Sequence, residues 1–250
     1  DISRNGKRPM FFSRYSGLGS HRYPVGFSGD TIVTWESLDF QPYFTATASN
    51  VGYGWWSHDI GGHMCGYRDD ELQIRWLQLG VFSPINRLHS AINPFTGKEP
   101  WNLGLREEKI AGDLLRLRHK LFPYIYTMNY RNHTELEPLV QPMYYSHPEF
   151  DEAYEMKNQY WFGSEIIVAP ITQKGDTVTG LSRVKTWLPE GKWIDAFNGF
   201  VYDGSRKLDL HRSLDQMAIF AKSGAIIPMQ ESSFDNKLGN SKDMSVLVFA

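Results

Sequence analysis

A single cysteine, Cys65, stands in 250 residues. No intrachain disulfide can form, so a secreted scaffold held together by bridges is excluded. The same scarcity favours a reducing, cytoplasmic compartment. No apolar run approaches the roughly 20 residues needed to cross a bilayer. Like-charge runs are missing too: 26 basic against 28 acidic side chains leave a formal net charge of −2. A nucleic-acid reader would show a basic face or stripe, so neither nucleic acid nor membrane is expected as a partner. There is no Gly-x-Ser-x-Gly elbow and no phosphate-cradling glycine loop, which removes two common catalytic signatures. No internal repeat and no signal peptide is found. Because the chain opens at Asp1 and runs almost at once into a strand, it is expected to be the later part of a longer protein.

Aromatic residues are plentiful, at 14% of the chain, and many sit beside Gly, Asp or His. Rings exposed next to polar groups suit the flat, amphipathic faces of sugars, although Trp and Tyr also fill large cores. Short apolar runs alternate with helical spacing over the first half. Pro9 to Ser13 reads as a strand, and Gly17 to Gly29 as a long shaped loop of the kind that is usually functional. Thr34 to about Ser49 reads as a helix ended by Asn50 and Gly52. Val51 to Ser57 is the next strand and Asp69 to Val81 the next helix, with acids on its first turn. Phe82 to Leu88 is a third strand, interrupted by Pro84. From about Arg106 to Asn132 apolar residues recur every three or four positions, a long helix kinked at Pro123.

Strand and helix in alternation predict parallel βα units, the later part of a (β/α)8 TIM barrel, over residues 1–136. After Glu135 the pattern changes. Pro138, Pro142 and Pro148 punctuate a linker. Short runs then follow at Ile166–Ala169, Val184–Leu188, Lys192–Asp195, Met217–Ala221 and Ala225–Ile227, with a hairpin turn at Pro189-Glu190-Gly191. This predicts an antiparallel β-sandwich over residues 137–240. Residues 241–250 read as the start of a further β segment.

Polar residues at the C-terminal ends of successive barrel strands are where such a fold keeps its chemistry. Arg14, Asp30, Asp59 and His89 each follow an apolar run. A glycosidase needs a carboxyl that can hand over a proton and a second one as nucleophile or base. Asp30, in a glycine turn flanked by Phe27 and Trp35, is the candidate proton donor, with desolvation by those rings raising its pKa. The plain alternative is an N-cap for the helix that follows. Arg14 could grip a carboxylate or sugar hydroxyls, or simply make a surface ion pair. Asp59 could take two vicinal hydroxyls, or be an ordinary turn residue. His89 could donate to a hydroxyl, or be a satisfied loop histidine. His58 and His63 beside Asp59 admit a metal-dependent hydrolase, but the spacing is weak and no fourth ligand presents itself. No metal and no cofactor is therefore expected.

Arg14, the glycine-rich loop through Arg22-Tyr23, Phe27-Ser28-Gly29-Asp30, Thr34-Trp35, Asp59-Ile60-Gly61-Gly62 and Pro84-x-x-Arg87-x-His89 together resemble the catalytic domain of glycoside hydrolase family 31, the α-glucosidase and α-xylosidase family. Ala169-Pro170 and Trp187-Leu188-Pro189-Glu190-Gly191-Lys192-Trp193 resemble that family's proximal C-terminal β-domain. The resemblance implies a retaining α-glycosidase acting on an oligosaccharide or α-glucoside. Asp30 would be its general acid/base, and Arg14, Asp59 and His89 would hold the sugar at the scissile bond. The family's nucleophilic Asp belongs to an earlier motif absent from this chain, so this stretch by itself is expected to be inactive. A Trp is usual where Phe27 stands and an aromatic where His63 stands. Both positions line the sugar pocket in the family, so α-xylosidase, α-galactosidase or transglucosylase activity stays open beside α-glucosidase. A non-catalytic carbohydrate-binding fragment is the remaining alternative.

Overall fold

The computed structural model describes residues 11–14, 17, 19–22, 25–231 and 244–250. Pro9 and Met10 of the first expected strand, and Tyr23 of the glycine-rich loop, lie outside the described residues. The barrel portion runs β1 (Phe12–Ser13), β2 (Val25–Phe27), α1 (Trp35–Ala48), β3 (Trp56–Ser57), α2 (Asp70–Val81), α3 (Leu105–Lys120) and α4 (Phe122–Glu135). β1, β2 and β3 are parallel neighbours in that order, with Phe12 opposite Val25 and Gly26 opposite Trp56. Gly26 is needed for this pairing, because a Cβ there would lie 2.8 Å from the Trp56 ring. One further parallel contact, Ile60 opposite Leu88, brings a fourth chain segment to the same array.

Several expected boundaries change. The loop expected over Gly17–Gly29 contains β2, a strand too short to show a period. The strand expected over Phe82–Leu88 is instead the C-cap of α2 followed by turns, with only Leu88 in a ladder contact. Likewise the strand expected from Val51 narrows to Trp56–Ser57, and Ser49–Val51 is a 3-10 turn closed by Gly52 at φ 82°. The single kinked helix is two helices: α3 ends at Lys120, and Pro123 sits in the first turn of α4, where its missing N–H costs nothing.

Caps start the helices that frame the site. Thr34 accepts from the Ser37 N–H at 3.2 Å and Asp69 from the Leu72 N–H at 3.1 Å, so Asp30 is not the N-cap of α1. α2 is buried from Leu72 to Val81. Its Arg75 donates to the carbonyls of Gln216 (2.9 Å) and Ser213 (3.1 Å) and to Ser182 Oγ (2.9 Å). Gln78 adds a bond to the Leu214 carbonyl at 2.7 Å. At the other end Arg118 of α3 donates to the carbonyls of Val81, Ser83 and Pro84, closing the C-terminus of α2 with positive charge.

The remainder is β4 (Val140–Pro142), a short α5 (Glu152–Glu155), β5 (Tyr160–Phe162), β6 (Ile166–Ala169), β7 (Ser182–Leu188), β8 (Lys192–Asp195), β9 (Val201–Asp203), β10 (Arg206–Arg212), β11 (Ala218–Lys222), β12 (Ile226–Gln230) and β13 (Met244–Val248). Six of these form one antiparallel sheet in the order β4-β5-β6-β11-β8-β9, and β7 with β10 form a ribbon over it. Alternate side chains explain the unbroken apolar runs. Tyr160, Phe162, Ile166, Val168, Ile219 and Ala221 join the core shared with the helices. Trp161, Ile167, Ala169, Ala218 and Phe220 join Val184, Trp187 and Leu188 of β7 on the opposite face. With both faces covered, no polar alternation is required. The turn at Pro189-Glu190-Gly191 is not a hairpin: β7 pairs with β10 and β8 with β11 and β9, so this turn carries the chain from ribbon to sheet. The proline-rich linker in turn supplies β4 and β5.

Candidate active site

The tips of β1, β2 and β3, with the segment ending at Leu88, bring six polar side chains into one continuous line. Arg14 Nη1 donates to Asp30 Oδ2 at 2.5 Å. On the other oxygen, His63 Nδ1 lies 2.8 Å from Asp30 Oδ1, a close polar contact that is off the line of a hydrogen bond. The His63 ring meets the His89 ring edge to face at 4.5 Å between centroids. One ligand atom from each of Asp59, His63 and His89 lies within 4.8 Å of the others. Beyond them Arg87 pairs with Asp59 through Nη2 and reaches Ser57 Oγ through Nε at 3.1 Å. The structure thus brings together Arg14, Asp30, Asp59, His63 and His89, from four separate stretches of sequence.

Backbone conformation sets the carboxylate of Asp30. Gly29 has φ 61° and Asp30 itself φ 30°, a region that L side chains rarely occupy and that clusters at functional sites. A Cβ on Gly29 would overlap the Arg14 side chain, so this glycine both makes the turn and leaves room for the guanidinium. Ser28 and Thr31 fix the rest. Ser28 Oγ accepts from the Asp59 N–H at 3.2 Å, the Thr31 N–H reaches Asp59 Oδ2 at 3.4 Å, and the Thr31 carbonyl takes the His63 N–H at 2.7 Å.

The expectation for the acidity of Asp30 is reversed. The Arg14 hydrogen bond, with smaller help from His63, holds its carboxyl below the usual carboxylate value and outweighs desolvation. Neither neighbouring ring encloses it as expected. Trp35 turns its indole N–H to Asp69 at 3.2 Å. Phe27 stacks on Phe12 at 4.2 Å between centroids, and the guanidinium carbon of Arg87 lies 5.7 Å from the Phe27 ring centre. Phe27 therefore supports the arginine that holds Asp59. His89 is held below the ordinary imidazole value chiefly by burial, so it is neutral at pH 7.

The chain matches the family model for the TIM-barrel domain of glycosyl hydrolases family 31 over residues 2–128, and the model for that family's C-terminal domain over residues 136–227. It belongs to glycoside hydrolase family 31. Among the relatives of this family 31 chain, alpha-glucosidase 2 of Bacillus thermoamyloliquefaciens is 30% identical over 90% of the chain and 28% of the relative. The alpha-xylosidase of Saccharolobus solfataricus is 28% identical over 92% of the chain and 31% of the relative. A Flavobacterium johnsoniae dextranase of the same family, solved with isomaltotriose, superposes with a TM-score of 0.84 at 30% identity, over 92% of this chain and 29% of that one. A cycloalternan-forming enzyme from Listeria monocytogenes, solved with a pentasaccharide substrate, gives 0.85 at 30% identity, over 96% and 24%. The family 31 chain thus spans about a quarter to a third of the length of the relatives it matches.

In this family 31 chain His58 plays no part in the polar line, which overturns the metal reading of His58, Asp59 and His63. It is fully buried; its Nδ1 accepts from the Trp76 indole at 3.1 Å, which leaves Nε2–H to donate to Ser83 Oγ at 2.8 Å. Ser83 Oγ–H passes on to the Leu79 carbonyl at 2.7 Å. The histidine is a neutral pin under the tip of β3. Arg87 is the residue that sequence reasoning passed over. It stands in the Pro84-x-x-Arg87-x-His89 motif, but its pairing with Asp59 joins positions 28 apart and leaves no local signal.

Proposed function

We propose that the protein is a retaining α-glycosidase that removes terminal α-linked glucose from oligosaccharides, with Asp30 as its general acid/base. Arg14, Phe27, Asp59, His63 and His89 form the sugar subsite beside it. The nucleophilic carboxylate is not found in this chain, and we place it elsewhere in the same protein; on that reading this stretch alone is inactive. The observation that supports this most is the unbroken line of Arg14, Asp30, His63, His89, Asp59 and Arg87 across the tips of the parallel strands. Two carboxylates, each tethered by an arginine, face a pair of imidazoles. Such a row offers charged and neutral donors to a polyol and one carboxylate for proton transfer.

In the free site Asp30 is ionised because Arg14 holds it. A glycosidic oxygen arriving at Oδ2 takes the place of that guanidinium, and the carboxyl, freed of that contact and desolvated by the bound sugar, takes up a proton from solvent. Protonated Asp30 gives its proton to the leaving oxygen as the glycosyl-enzyme forms, and afterwards draws a proton from the attacking water. Asp59, fully buried and paired with Arg87 through Oδ1, accepts hydroxyls through Oδ2.

The test is Asp30→Asn in the full-length protein, assayed on maltose-like substrates and on aryl α-glucosides. Most turnover should vanish on substrates with poor leaving groups, and less on activated aryl glucosides that need no proton. Unchanged turnover on both would end the assignment. A panel of aryl α-glucosides, α-xylosides and α-galactosides decides the sugar.

A further inference from the structure

The cluster of Asp59, His63 and His89 has a property that sugar binding does not require: a carboxylate and two imidazoles converge within 4.8 Å of one another. We infer that this crevice is also a transition-metal site, in which a divalent ion that prefers imidazole, Zn2+ foremost, binds through Asp59, His63 and His89 and excludes the sugar. Two neutral imidazoles with one carboxylate are a zinc donor set that keeps a position open for water or substrate. Calcium and magnesium prefer oxygen ligands.

Each donor has a free lone pair to give. Asp59 is fully buried and has Oδ1 occupied by Arg87, but among the described residues its Oδ2 receives only the Thr31 N–H at a long 3.4 Å. His63 turns Nδ1 towards Asp30 at 2.8 Å, which leaves Nε2 for an ion. A carboxylate behind a ligating imidazole orients the ring and raises its basicity. In tetrahedral geometry, ligand atoms held at about 2.0–2.2 Å lie about 3.3–3.6 Å from one another, so the 4.8 Å spread must close by up to about 1.5 Å. Both imidazoles are half-buried on loops and can make that move. Arg14 and Arg87 offset the charge of the two carboxylates, which sets the affinity well below that of a structural zinc site.

This site does not depend on the glycosidase reading, and its test separates the two. The full-length protein is titrated with ZnCl2 by calorimetry and with Co2+ by visible absorption. We expect one saturable site, with ligand-field bands of low coordination number for Co2+. His63→Phe and His89→Phe should each weaken it by more than about tenfold, while His21→Ala, on an exposed turn, should not. Zn2+ should raise the KM for an α-glucoside without lowering kcat. Absence of binding up to millimolar Zn2+, or binding undiminished in both histidine variants, would overturn the site. Binding with an unchanged KM would overturn the competition. A zinc isotherm in a protein that hydrolyses no glycoside would support the site and count against the glycosidase reading alone.

Discussion

Acid should loosen this protein through a residue that does no chemistry. His58 is fully buried and neutral, with its pKa pushed down to about 3 from 6.5 because burial outweighs the attraction of Asp59. The folded state refuses a proton that the unfolded chain accepts below pH 6.5. The stabilisation is therefore complete above that value and is lost progressively as the pH falls towards about 3. Going from about pH 7 to about pH 4.5, the loss from this one group is on the order of 2–3 kcal/mol. His58→Gln separates it from other titrations, since an amide can accept from Trp76, donate to Ser83 and carry no proton at either pH. Urea unfolding of the full-length protein, followed by tryptophan fluorescence, should show a midpoint that drops between the two pH values in both forms. The drop should be smaller in the variant by the equivalent of that energy. The His58 ring proton should also fail to titrate by NMR down to about pH 4.5. Parallel pH dependence in the two forms, or a normal imidazole titration, would refute the reasoning. Because His58 directly precedes Asp59, acid that opens this pin should also lower substrate affinity before global unfolding.

Other substitutions should act through contacts just as specific. Arg87→Met strands the fully buried Asp59 carboxylate and should cost about 3–5 kcal/mol, seen as a lowered thermal midpoint together with a raised KM. Gly29→Ala forces a left-handed backbone on a residue with a Cβ that overlaps Arg14; the strain is about 1–2 kcal/mol, and kcat should fall while circular dichroism stays unchanged. Arg75→Met removes the side-chain donor from the Gln216 carbonyl beneath α2, at a cost of about 1–3 kcal/mol, while the Ser213 carbonyl keeps the Gln216 N–H; limited proteolysis should become faster in the loop near residue 214. Arg75→Lys, which lacks the fork, should restore only part of that protection.

What could be read from sequence was whatever is written locally. The parallel βα order, the change to short strands after Glu135, and the helix starts near Thr34 and Asp69 all rest on neighbours within a few residues. β2, at three residues, and the lone ladder contact at Leu88 are too short to carry a period, so they read as loop and as strand respectively. The residues of the site were legible as polar groups at the ends of apolar runs, because strand tips are where such groups gather. Their partners were not. Phe27 and Trp35 are near Asp30 in sequence and invite a desolvated acid, yet the contact that governs it comes from Arg14, sixteen positions upstream. A guanidinium at hydrogen-bond distance outweighs partial burial of an exposed carboxyl, so the sign of the shift follows the distant neighbour. The same rule applies to Asp59, whose partner Arg87 arrives from the next strand tip, and to His58, whose burial could not be foreseen from the polar residues beside it. In a barrel each strand tip meets residues from the adjoining units, so a site residue is found by its own segment and its chemistry is fixed by the others. For the proton donor proposed here, this means that any segment of the protein placing a carboxylate near Arg14 will compete for the guanidinium and raise the pKa of Asp30. The alkaline limb of the full-length enzyme's pH profile should accordingly shift downward when that carboxylate is changed to an amide, and a limb that does not move would leave Arg14 in sole control.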